Sequence, residues 1–267
     1  MRFFRDLKIS FVMEIRRYYR WKERFIWDIL GAIIMFFGFM LVWRAILMGG
    51  FKGVGDLTAE NYVTFILCGS VLWEVITQSM GWQMVQAFVS DKHRRVLPYL
   101  MISPLDKISY LYGKVGVGMV RFIITNTILL AIASLLFNFS FKGSILLAGL
   151  IFVVSFLSFS GIGLILASLA AWREGIGNIG VVVTEILYLM SGVHYPIEVF
   201  PEPIKNFVNV LPTTQAIHAL RMVGLYGYGV SELSNQLIYL GSLAIIFPIL
   251  GYIIFTKIKN RAMLIGI

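Results

Sequence analysis

Three ionisable residues, Glu74, Arg121 and Glu185, stand inside long apolar runs. A charge inside a bilayer is costly, and it is usually paired or lines a pathway. At about 1.5 Å per helical residue from the inner ends, Arg121 stands roughly 20 Å up its run, Glu185 roughly 15–18 Å and Glu74 roughly 24 Å. Arg121 is therefore expected to pair with Glu185 or Glu74. The network would lie at a pathway or dimer seam, or act as a tie between helices of one subunit. Other chemistry is sparse. The Gly113-Lys114 pair lacks the upstream glycine and the following hydroxyl of a phosphate loop. There is no nucleophile elbow. His93, His194 and His218 are scattered, with no H-E-x-x-H. Neither a catalytic set nor a metal-ligand set is readable. Cys68 is the only cysteine, which excludes an internal disulfide and a thiolate metal site. Uphill movement of a solute would need energy from another chain or from an ion gradient.

The elements that hold these residues follow from composition. Of 267 residues, 58% are hydrophobic and 14% are charged, whereas a soluble domain carries about a quarter charged. The class is an all-α polytopic membrane protein, a single membrane domain over 1–267. Six spans are expected at 25–47, 62–89, 108–137, 144–171, 176–192 and 236–258. Trp27 and Trp43 suit the interfacial belts of the first. Ser155, Ser158, Ser160, Gly161 and Gly163 make the fourth suited to close helix contact.

Before the first span, residues 1–23 read as an amphipathic helix lying in the membrane interface. Phe4, Leu7, Phe11, Ile15 and Tyr18 fall on one face, and Arg2, Arg5, Lys8, Arg16, Arg17 and Arg20 lie off it. The start of the chain is charged and amphipathic, unlike a cleavable signal peptide. Residues 90–107 form a basic loop. Inside it, Pro98 and Pro104 bound a short apolar helix, Pro98-Tyr99-Leu100-Met101-Ile102-Ser103-Pro104. Residues 193–235 hold Pro196, Pro201, Pro203 and Pro212 and contain no run long enough to span. Lys and Arg concentrate in 2–24, 92–107, 173 and 257–261, and are few in the alternate loops. The positive-inside rule then puts both termini and the 90–107 loop in the cytoplasm, and the proline-rich stretch outside. It also accounts for the net charge of +9 without a nucleic-acid partner.

Two stretches carry a resemblance. Ser90 to Lys114 resembles the first cytoplasmic loop of type-2 ABC export permeases, with Leu100, Ser103, Pro104, Leu105, Gly113 and Lys114 in matching places. Asp91 stands where that family has Glu, Arg95-Val96 replaces Gly-Thr, and Pro98 replaces a common Glu. Met190 to Arg221 is similar to the family's signature before the last span, through Ser191, Gly192, Pro196, Pro201, Pro212 and Arg221.

The resemblance implies a permease that pairs with a second copy of itself and with two cytoplasmic ATPase subunits. ATP and Mg would be held there, with no cofactor in this chain. Arg94, Arg95, Leu97, Pro98, Tyr99, Leu100, Met101, Ile102, Ser103 and Pro104 would couple to the ATPase, the apolar members as a knob and the arginines at its rim. The interface helix would dock there too. Gly192, Tyr195, Pro196, Pro201 and Pro212 would belong to short re-entrant helices gating the outer side. The cargo would be a drug or lipid amphiphile or a lipid-linked polysaccharide, moved out across a plasma or inner membrane. The alternative is an ion-gradient-driven carrier or channel, with Glu74 and Glu185 as its titratable acids.

Overall fold

In the computed structural model, residues 2–20, 22–50, 53–80, 84–85, 90–91, 95–137, 139–172 and 176–265 are described. The apolar runs form helices, because in a bilayer the backbone must satisfy its own hydrogen bonds. In chain order these are α1 (Arg2–Arg20), α2 (Lys22–Met48), α3 (Tyr62–Met80), α4 (Leu97–Ile102) and α5 (Lys107–Phe137). There follow α6 (Ile145–Trp172), α7 (Ile176–Met190), α8 (Glu202–Val210), α9 (Pro212–Arg221) and α10 (Ser234–Ile265). A 3₁₀ turn covers Ile197–Val199, and a π-helical turn at Met222–Tyr226 follows α9.

α2, α3, α5, α6 and α10 are long and apolar enough to cross a membrane. α7 is apolar but only 15 residues long, about 22 Å against a hydrocarbon core of about 30 Å. It ends at Met190 because Gly192 takes a left-handed φ of +63°, a helix stop that a side chain would oppose. The result is an all-α polytopic membrane fold with six apolar helices. Of the expected second span at 62–89, α3 accounts for residues up to 80. Met84 and Val85 are helical and buried, and most of the remainder lies outside the described residues.

α3 is the hub. Most of its surface is buried, and it packs on α2, α5, α6 and α9. Its inward residues Cys68, Leu72, Ile76 and Met80 join Ile151, Phe159, Ile217 and Leu240 in the largest core cluster. Among the described residues, α6 and α10 make the most extensive helix–helix contact. A Cβ on Gly161 would stand 2.1 Å from the Phe247 carbonyl carbon, so only glycine allows this approach. Ser158 Oγ donates to the Leu240 carbonyl across the same seam at 3.1 Å. Gly161 and Ser158, two of the small residues in α6, thus lie at its close contact with α10.

Between α7 and α10 the chain turns back on itself. α9 is buried on most of its surface, against α3, α6 and α10. α8 is amphipathic and leaves Ile204, Phe207 and Val210 exposed. Proline fixes φ and lacks an N–H, and Pro212 accordingly stands at the first residue of α9, while Pro201 caps α8.

Candidate functional site

One end of the helix bundle is built around α4. Val96 is its N-cap residue and Pro98 lies in its first turn. Leu100 is 8% exposed and packs into a cluster with Met84, Leu111, Val115, Leu164, Ala167 and Phe255. Tyr99 and Ile102 are 72% and 83% exposed. A short helix buries one face only, so the five-residue knob expected here divides. Leu100 is turned inward as an anchor, and Tyr99 and Ile102 face out. Ser103 is half-buried, and its carbonyl takes a hydrogen bond from Lys107 Nζ at 2.7 Å; Pro104 is exposed. Arg94 lies outside the described residues, as do the side chains of Leu97, Pro98 and Met101. Arg95 is exposed and has a φ of +58°. That conformation is disfavoured for residues other than glycine, and it is where the resembling family carries glycine.

Two polar clusters fix the ends of this loop. Lys114 Nζ meets Asp91 Oδ2 at 2.7 Å, with both side chains 4% exposed. Tyr110 donates to the same oxygen at 2.6 Å, and the Lys114 ammonium lies 4.7 Å from the Tyr110 ring centre. At the other end, Asp106 Oδ2 accepts from the Ser109 backbone N–H at 2.8 Å and so caps α5. The Asp106 N–H donates to buried Asp6 on α1 at 3.1 Å, and Ser109 Oγ donates to the Phe3 carbonyl.

α1 therefore packs on α5 through a polar seam that includes Asp6 and Ser10. Gly113 makes room for it: a Cβ there would stand 2.5 Å from Ser10 Cβ. Of the expected apolar stripe, Leu7 and Phe11 are half-buried, while Phe4 and Ile15 are exposed. The Tyr18 side chain lies outside the described residues. The stripe thus sits beside the packed face rather than on it.

Midway along the spans, Glu74, Arg121 and Glu185 line one cavity of about 270 Å³ with Trp73, Thr77 and Gln78. A second cavity of about 270 Å³ shares Trp73, Glu74, Thr77 and Glu185 and adds Asn126, Tyr188 and His194. Asn126 Nδ2 donates to Glu74 Oε2 at 2.7 Å. The Trp73 and Tyr188 rings are 5.3 Å apart. α3, α5 and α7 thus bring the three sequence-selected charges to one place, and Glu185 is exposed.

At the opposite end of the bundle from α4, Arg221 is 5% exposed. It donates to the carbonyls of Phe65 and Val193 at 3.2 and 2.8 Å, and its guanidinium lies 3.5 Å from the centre of the Phe65 ring. This ties α9 to α3 and to the turn at 191–196. His194, in that turn, stacks on Phe39 at 3.8 Å, and its carbonyl accepts from Trp43 Nε1 at 2.7 Å. Burial, and then the nearby Arg221 cation, hold its imidazole down at about 4, so it is neutral at ordinary pH. Pro196 is buried. The Tyr195 hydroxyl donates to the Leu189 carbonyl, and its ring meets Phe200 edge-on at 5.8 Å.

Sequence reasoning missed Asp6, Ser10, Asn126 and the joining of Asp91 to Lys114. For Asn126 there was a signal, since an amide in an apolar run asks for a partner. Asp6 sits among basic residues and looks solvated until α1 is packed. Among the described residues no group of His, Cys, Asp and Glu could hold a metal ion.

A short apolar helix framed by polar clusters, six apolar helices and a buried return before the last of them describe a polytopic membrane subunit. The ABC-2 type transporter family model matches residues 5–225, and the chain belongs to that family. It is 23% identical over 259 residues to the inner membrane transport permease YadH of Escherichia coli K12, covering 96% of this chain and 94% of that protein. The Shigella flexneri protein of the same name matches equally. This chain is thus the membrane subunit of an ABC transporter.

Proposed function

We propose that two copies of this chain form an export pathway driven by two separate cytoplasmic ATPase subunits. The chain itself carries no ATP or Mg. It lies in a plasma or inner membrane with both termini cytoplasmic. Its cargo is an amphiphile, a drug or lipid, or a lipid-linked polysaccharide. The single observation that carries this reading is α4. Tyr99 and Ile102 are a bare apolar pair on a helix anchored from below by Leu100, between the buried Asp91–Lys114 pair and the Asp106 cap. A rigidly framed apolar knob in a polar loop suits a socket on another protein. α1, packed against the base of the same loop, completes the docking face. Motion received at α4 would pass through Leu100 and α5 to the mid-span cavities lined by Glu74, Arg121 and Glu185, and on to the outer segment at 193–235, which gates the exit.

The test is co-expression with a candidate ATPase subunit carrying a phosphate-binding loop. The expected result is a complex of two permeases with two ATPases, which hydrolyses ATP faster in lipid when an exported amphiphile is added. A permease that transports under an ion gradient with no ATPase bound would overturn the reading.

A further inference from the structure

We infer that the paired mid-span cavities bind an organic cation, an ammonium or amidinium group carried on an apolar body. This rests on the export reading and narrows its cargo. The two cavities share Trp73, Glu74, Thr77 and Glu185, so they meet at one wall. Each is close to the lower end of the size range of small-molecule pockets. Their described linings carry two carboxylates, Glu74 and Glu185, against one guanidinium, Arg121. One cation can neutralise only one of the acids, and a charge left over inside a membrane calls for a partner. Glu185 makes no hydrogen bond or ion pair among the described residues, and the second cavity has no Lys or Arg in its described lining.

An independent observation points the same way. Gln78 is 3% exposed, lines the first cavity, and its Oε1 has no hydrogen-bond partner among the described residues, although Arg121 lines that cavity too. It lies four residues after Glu74, on the same side of α3. A buried acceptor left unpaired is destabilising, so this atom calls for a donor. The unfilled groups are therefore a carboxylate and an amide oxygen, both acceptors. They suit a ligand with N–H donors and positive charge, and would repel a phosphate or an acidic sugar. Trp73 and Tyr188 add ring faces of the kind that attract cations. Met35, Phe36 and Leu129 line the side that would take the apolar body.

The full-length chain in phosphatidylcholine nanodiscs, without nucleotide or ATPase, tests this by fluorescence titration. The probes are dansylcadaverine, which bears an ammonium group, and its uncharged N-acetyl derivative. The wild type should bind the ammonium probe about tenfold more tightly than the acetylated one. Glu185→Gln should erase the preference, Glu185→Asp should keep it, and Gln78→Leu should weaken binding of the ammonium probe alone. Equal affinity for the two probes in the wild type would overturn the inference. So would a preference that survives Glu185→Gln, or one unchanged in Gln78→Leu should Glu185→Gln fail to fold. Any of these failures leaves ATPase assembly intact, so it is separable from failure of the export reading.

Discussion

Asp91 and Lys114 are 23 positions apart, and in sequence each reads as one more charge in a basic loop. Packed, they share a bond that neither can lose alone. Removing one partner of a buried ion pair leaves an uncompensated charge, at a cost of about 3–5 kcal/mol, whereas replacing both with apolar groups is often neutral. Lys114→Met should therefore lower the unfolding temperature in detergent sharply. Asp91→Leu combined with Lys114→Met should recover most of the loss. Thermal scanning of the single and double variants decides this, and a double variant as unstable as the singles would sink the account. Arg95 shows the converse. Its left-handed φ has no counterpart in its side-chain chemistry, and only the backbone explains why the resembling family places glycine there.

Among the elements, α4 is where sequence and structure differ most usefully. The stretch Leu97–Ile102 reads as uniformly apolar, because six residues are too few for a helical period to mark an inner and an outer face. The core beneath, drawn from α5, α6 and α10, selects Leu100. Leu100→Asp should thus destabilise the permease itself, with or without an ATPase. Ile102→Asp should leave folding unchanged and abolish ATPase association. Size-exclusion profiles of each variant, with and without the partner, separate the two outcomes. A well-folded Leu100→Asp protein would refute the anchor. α1 follows the same logic: its apolar stripe was legible, but the polar seam of Asp6 and Ser10 emerges only against Gly113 and the N-terminus of α5.

For the whole molecule, orientation can be tested with the chain's own single cysteine as background. Cys68 is buried in α3 and should react slowly. Lys142 and Lys257 are exposed near opposite ends of the bundle. Lys142→Cys should label with a membrane-impermeant maleimide in intact cells, and Lys257→Cys only after permeabilisation. The reverse pattern would invert the topology and remove α4 from the cytoplasm.

The sequence by itself determined the membrane class, the approximate positions of the six apolar helices and the proline-broken return before the last helix. Each depends on local composition: the transfer of a segment into hydrocarbon is governed by that segment, whatever its neighbours do. Tertiary structure alone decided which face of α4 is buried, why Asp91 and Lys114 belong together, and that Arg221 ties α9 to α3. It also brought Glu74, Arg121 and Glu185 to one cavity wall. Those are relations between helices distant in the chain, set by which surfaces pack, and a hydropathy pattern records how apolar a face is without recording what it meets.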